Sequence, residues 1–146
     1  MLSLDPGGTT GGALIEYNNN YHRVTRTWQI QNGLKGFLDW HWDQLEDYHF
    51  DVIVCEGFEL RTGIHKPDIT PAFIIGAVEA LYPATEIKIQ MPKLKPLCDN
   101  DRLRKMELYE KGKPHAMDAV RHGIIYLRNM KNKSVLESGW RDNEKD

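Results

Sequence analysis

The chain of 146 residues carries 19 Lys and Arg against 21 Asp and Glu, a net charge of -2, and an apolar content of 40%. That length suffices for one domain with a real core, while the near-neutral charge excludes a globally basic nucleic-acid binder and two distant cysteines, Cys55 and Cys98, exclude a zinc knuckle or disulfide framework. There is no apolar run near ~18 residues and no basic-then-apolar leader, so a cytoplasmic protein is expected.

Leu2 to Asp5 reads as a short apolar strand running into an acid, followed by a turn in which Gly7, Gly8, Gly11 and Gly12 stand with Thr9 and Thr10. Such a turn suits backbone with positive φ and clears space above Asp5 for a phosphate or a metal ion, although glycine and threonine clusters are also ordinary turn chemistry. Gly12 to Tyr17 and Tyr21 to Ile30 follow as a hairpin around Asn18-Asn19-Asn20. Leu34, Phe37, Leu38, Trp42 and Leu45 recur at helical spacing and predict a helix over 33–48 whose aromatic stripe faces the core. Asp51 to Gly57 is a nearly continuous apolar run closed by Glu56, the pattern of a central strand covered on both faces.

Phe58 to Asp68 reads as an irregular loop holding Arg61, His65 and Lys66. A helix over 71–82 starts at Pro71 and stops before Pro83, and Thr85 to Gln90 is the last strand. The segment 92–97, with Lys93 and Lys95 between prolines, is a connector; 99–110 reads as a short charged helix broken by Gly112 and Pro114. A final helix spans about 115–130. The expected organisation is one domain over 1–131 and a polar, frayed tail over 132–146. Cations outnumber acids from residue 51 to 133 and acids outnumber cations before that, so an anionic partner must use a local patch.

A right-handed crossover places the strand ending at Glu56 parallel to the strand ending at Asp5. Both carboxylates then emerge at the carboxyl edge of the sheet, where α/β folds bind ligands. On the last helix His115, Asp118 and His122 are three and four residues apart and share one face. Small residues beside them, Ala116 and Gly123, let the helix lie close to the sheet and tip His115 and Asp118 toward Asp5 and Glu56; His122 is read as a structural residue. Carboxylates gathered in this way need a cation, because like charges raise each other's pKa values. Oxygen donors favour Mg²⁺ or Mn²⁺, and two such ions ~4 Å apart suit phosphodiester hydrolysis, with His115 as a ligand or a proton shuttle.

Asp5 with its glycine and threonine surroundings, the apolar strand closed by Glu56, and Pro114-His115-Ala116-Met117-Asp118-Ala119 opening an apolar helix resemble the RuvC family of Holliday junction resolvases in a compact, bacteriophage-like form. The resemblance covers about residues 1 to 130. It implies an α/β RNase H-like fold with a central five-stranded mixed sheet flanked by helices, a homodimer, and a Mg²⁺- or Mn²⁺-dependent endonuclease that nicks four-way DNA junctions. By matching position it makes Asp5, Glu56, His115 and Asp118 the catalytic, metal-holding residues. The expected DNA contacts are Phe58, Arg61, Lys66, Lys93, Lys95 and Arg121, with Phe58 either stacking on an unpaired base or packed in the core. A sugar-kinase or actin-like ATPase would need a second domain, and the glycine turn lacks the Lys-Ser/Thr of a phosphate-binding loop. A nuclease acting on RNA/DNA hybrids, structured RNA or flaps remains open, as does a non-catalytic nucleic-acid-binding module.

Overall fold

The computed structural model describes residues 1–63 and 65–141. Among them are five strands, β1 (Leu2–Asp5), β2 (Thr10–Asn18), β3 (Tyr21–Ile30), β4 (Val52–Glu56) and β5 (Glu86–Gln90), in one mixed sheet of order β3-β2-β1-β4-β5. The β1–β2 and β2–β3 pairs are antiparallel, whereas β1–β4 and β4–β5 are parallel. The pairing Leu2–Ile53, Ser3–Val54 and Leu4–Cys55 ends with Asp5 and Glu56 side by side at the same carboxyl edge.

The alternation of the strands decides which helix meets which residues. Leu2, Leu4, Ile53 and Cys55 point to one face, where Phe37 of α1 (Gly33–Gln44), Leu45 just after it, and Ile74 and Val78 of α2 (Thr70–Leu81) cover them. Val52 and Val54 point to the other face, covered by α4 (Pro114–Asn129) through Ala116, Ala119, Val120, Ile124 and Leu127. By the same period of two, Ser3, Asp5, Glu56 and Gln90 lie on the α4 face, and the Ser3 hydroxyl donates to the Ala119 carbonyl at 2.6 Å.

The approach of α4 explains one glycine. A Cβ on Gly11 would sit 1.8 Å from the His115 carbonyl oxygen. Gly11 and Gly12 belong to β2, and neither they nor Gly7 and Gly8 take a positive φ. Gly11 therefore serves close packing of helix on sheet, and the stretch makes no left-handed turn over Asp5.

Several boundaries move from the expected places. α1 ends at Gln44, and Trp42 is 52% exposed rather than part of the core stripe. The 92–97 connector is a 3₁₀ turn over Pro92–Cys98, and α3 is only Asn100–Lys105, opened by Asp99, whose side chain accepts from the Arg102 backbone N–H at 2.9 Å. The frayed tail expected from residue 132 is instead ordered up to Arg141: α5 (Lys133–Val135) runs into a wider helical turn over Leu136–Trp140. Asn132 donates to the carbonyls of Asn18 and Tyr21 in the hairpin, Val135 is buried, and Arg102 and Arg128 stack on Trp140 at 4.3 and 5.2 Å. Polar composition hid this, because hydrogen bonds and cation–π contacts join the burial of Val135 and the packing of Trp140 in tying the segment down. Residues 142–146, the rest of that segment, lie outside the described residues.

Candidate active site

Three elements bring four of the expected residues together. Asp5 ends β1 and is 7% exposed; Glu56 ends β4; His115 and Asp118 stand on the first turns of α4. His115 Nδ1 is 3.6 Å from Asp5 Oδ2, at the mouth of the site, with nearly half its side chain exposed. Gln29, at the end of β3, accepts the backbone N–H groups of His115 and Ala116 at 2.8 and 3.3 Å, holding the helix start beside Asp5. Pro114 at the helix start lacks an N–H and so leaves no orphan donor there.

Lys95 is the expected DNA contact that the fold carries into the acid cluster. Read as a DNA contact, it projects from the 3₁₀ turn between two carboxylates, its Nζ 3.1 Å from Glu56 Oε2 and 3.0 Å from Asp118 Oδ2. Burial opposes its charge, but the hydrogen bonds to Asp118 and Glu56 prevail and hold the ammonium above its ordinary pKa. Arg121, also expected at the DNA, is engaged within the protein: it pairs with Asp118, donates from Nε to the Cys98 carbonyl at 2.9 Å and reaches Asn100.

The charges are uneven across the cluster. Burial, followed by the negative charges of Glu56 and Asp118, raises the Asp5 carboxyl from 3.8 to about 8, against the opposing pull of Lys95. Burial also pushes Glu56 upward, but hydrogen bonds from His122 and Lys95 outweigh it and leave Glu56 below its ordinary value. His122, read from sequence as structural, is fully buried and directed at Glu56: its Nε2 is 2.8 Å from Glu56 Oε2 and its Nδ1 is 2.8 Å from Gln90 Oε1. Strand parity was the signal available for Gln90, since it shares its face and register with Glu56.

The remaining predicted contacts are scattered. Arg61 and Lys66 are exposed on the loop after Glu56, Lys93 is exposed on the 3₁₀ turn, and Phe58 is half-buried. A cleft of about 210 Å³ opens beside Asp118, bordered by Asn100, Tyr109, Lys113, Pro114 and Arg121.

As donors, three carboxylates and an imidazole suit a hard divalent cation, and the Asp5 carboxyl is raised by burial and then by neighbouring negative charge, both of which such an ion would offset. Among the described residues, however, no three His, Cys, Asp or Glu side chains are grouped as one metal ion would hold them. The ammonium of Lys95 is the counter-charge between Glu56 and Asp118. The donor set thus fits by chemistry, and loading would require Lys95 to yield its place.

No protein-family model and no curated protein sequence matches the chain. Solved structures do. The fowlpox virus Holliday junction resolvase superimposes with a TM-score of 0.62 at 15% identity, over 88% of this chain and 97% of that one. Fowlpox virus resolvase in complex with Holliday junction DNA gives 0.61 at 17% identity, over 88% and 98%. Thermus thermophilus RuvC with a Holliday junction substrate gives 0.61 at 13% identity, over 89% and 96%. Among the described residues no helix is long and apolar enough to cross a membrane. The five-stranded mixed sheet with flanking helices, shared over nearly the full length of these proteins, gives the chain a RuvC-like resolvase fold.

Proposed function

We propose that the protein is a Mg²⁺- or Mn²⁺-dependent endonuclease that hydrolyses phosphodiester bonds in four-way DNA junctions. The observation that carries this reading is the convergence of Asp5, Glu56 and Asp118 from β1, β4 and α4 on one carboxyl edge, with Lys95 among them. Support for the substrate comes from the structural neighbours, two of which are complexes with Holliday junction DNA.

Asp5, Glu56 and Asp118, with His115, would hold one or two divalent ions, which when bound would activate water and stabilise the leaving oxygen. The chain's own groups do the rest. Asp118 is oriented by Arg121 and Lys95, Glu56 by His122 and Lys95, and Lys95 supplies positive charge where an incoming phosphate would bring negative charge. His115, at the solvent-facing mouth, is placed to exchange a proton at Nδ1 with the Asp5 side of the site. In the reaction a water oxygen bonds to phosphorus, the bond from phosphorus to the leaving oxygen breaks, the attacking water gives up a proton through these acids and imidazole, and the leaving oxygen takes one up to depart as a hydroxyl.

A four-way junction is two-fold symmetric and needs two nicks to become two duplexes, which calls for two copies of the site. The exposed face of α2 and its approach, Ile69, Ala72, Phe73, Gly76 and Ala80, offers an apolar stripe at helical spacing on which a second copy would seat. The deciding experiment incubates purified protein with labelled four-way junction, flap, RNA/DNA hybrid and plain duplex, in Mg²⁺ and in Mn²⁺. Paired nicks on the junction are expected. Preferential cutting of hybrid or flap would move the protein to another nuclease class on the same fold, and binding without cutting would leave a nucleic-acid-binding module.

A further inference from the structure

Glu56 is held from behind by two residues that solvent barely reaches. His122 is 0% exposed and Gln90 8% exposed, and the chain Gln90 Oε1, His122 Nδ1, His122 Nε2, Glu56 Oε2 closes with two contacts of 2.8 Å. Gln90 is the register partner of Glu56 across β4 and β5, and both point at α4, so the imidazole bridges two neighbouring strand ends. An isobutyl or sec-butyl side chain at position 122 would fill the same space, as Val120, Ile124 and Leu127 do elsewhere on the helix. A buried imidazole gains no comparable transfer energy, and it is tolerated only with both nitrogens satisfied.

We propose that His122 and Gln90 form a positioning pair that fixes Glu56 for phosphodiester hydrolysis, making the end of the edge strand β5 a working part of the site. This rests on the nuclease reading of Asp5, Glu56 and Asp118. The geometry explains the choice of partners. Lys95 alone, on a partly exposed turn, leaves the Glu56 carboxylate free to swing, whereas a ring locked between helix and strand fixes one oxygen and leaves the carboxyl group beside Asp5. The amide of Gln90 has both an acceptor and a donor, so it can meet Nδ1 either way and keep the Nε2 edge on Glu56. Supporting groups of this kind hold reactive carboxylates within a few tenths of an ångström of the productive geometry.

The test compares His122→Ala, His122→Gln, His122→Asn and Gln90→Leu with wild type on whichever nucleic acid the wild type cuts best. The amide nitrogen of glutamine takes the place of Nε2 and that of asparagine the place of Nδ1. His122→Ala is expected to lose ~10–100-fold in kcat with metal-free DNA affinity unchanged. His122→Gln recovers more of that loss than His122→Asn, and Gln90→Leu falls between alanine and wild type. A second arm needs no metal and no turnover: a slowly exchanging imidazole N–H of His122, seen by NMR, moves in Glu56→Gln and Gln90→Leu and stays put in Asp118→Asn. Equal activity of the glutamine and asparagine variants, or a ring N–H indifferent to Glu56→Gln, overturns the proposal, and this comparison stands even if the alanine variant fails to fold. Cutting of another substrate but not of junctions overturns the substrate reading alone; a wild type that cuts no nucleic acid overturns both.

Discussion

The two faces of the sheet are finished to different degrees. On one, α4 buries nine residues against β1, β2 and β4, with helix and strand so close that Gly11 admits no side chain. On the other, α2 buries only Ile74 and Val78 and leaves Phe73 54% exposed on an otherwise apolar helix. Both faces are hydrophobic, so composition alone does not separate them. Under the proposed function the α4 face is closed because it carries the site, and the α2 face is open where a second copy would complete it.

The largest expected effect comes from cutting into the closed face at its chemistry. Asp118→Asn, Glu56→Gln and Asp5→Asn are each expected to reduce nicking by at least ~10²-fold while junction affinity changes little, since these groups serve charge in the transition state rather than docking. Nicking rate and metal-free affinity, measured together, check this; near-wild-type cleavage by any one variant removes that residue from the site.

Next in size is a change that opens the same face without touching an acid. Gly11→Ala forces a Cβ into the His115 carbonyl and is expected to cost ~1–3 kcal/mol or more, seen as a lower melting temperature and loss of cleavage together. An unchanged melting temperature would mean that α4 can withdraw, and the contrast between the faces would then be one of degree only. Phe73→Glu on the open face is expected to do the reverse: the monomer keeps its melting behaviour, while sedimentation shifts from dimer to monomer and the two nicks become uncoupled.

A subtler prediction concerns pH. Burial and the neighbouring carboxylates raise Asp5 from 3.8 to about 8, so between those values the folded protein keeps a proton that the unfolded chain has released. The stability this contributes is complete below about pH 4 and is lost as pH rises through the folded value. In metal-free buffer Asp5→Asn should therefore melt above wild type by a margin that widens from about pH 4 to about pH 8 and then levels; a constant margin would show that Asp5 is ionised in the fold. The smallest effect belongs to the exposed loop: Arg61→Ala or Lys66→Ala is expected to lower the slope of log K against log salt by roughly 0.9 for each DNA phosphate no longer neutralised, with cleavage of bound DNA intact. An unchanged salt slope in both variants would place that loop outside the DNA footprint.

Much of the site was legible. Asp5 and Glu56 each close an apolar strand, and the right-handed crossover between those strands brings them side by side; His115 and Asp118 follow Pro114 at a helix start. The partners of Lys95, His122 and Arg121 were not legible, because a lysine between prolines and a histidine on an apolar helix face look the same whether or not a carboxylate waits across the gap. Trp42 failed for another reason: the buried stripe runs through Phe37, His41 and Leu45 at four-residue spacing, and Trp42 stands one position off it.

What the sequence determined by itself is what depends on neighbours along the chain: strand and helix periods, the acids at strand ends, the proline that starts α4, and hence the RuvC-like order of elements. What only the tertiary structure decided is what depends on neighbours across space. The pairing of Glu56 with Gln90 and His122, the ammonium of Lys95 between two carboxylates, and the docking of the polar segment after Asn132 onto the hairpin all join residues far apart in the chain. Periodicity reports which face a residue occupies, but the strength and direction of a hydrogen bond or ion pair are set by distances of about 3 Å that exist only once strands and helices have packed.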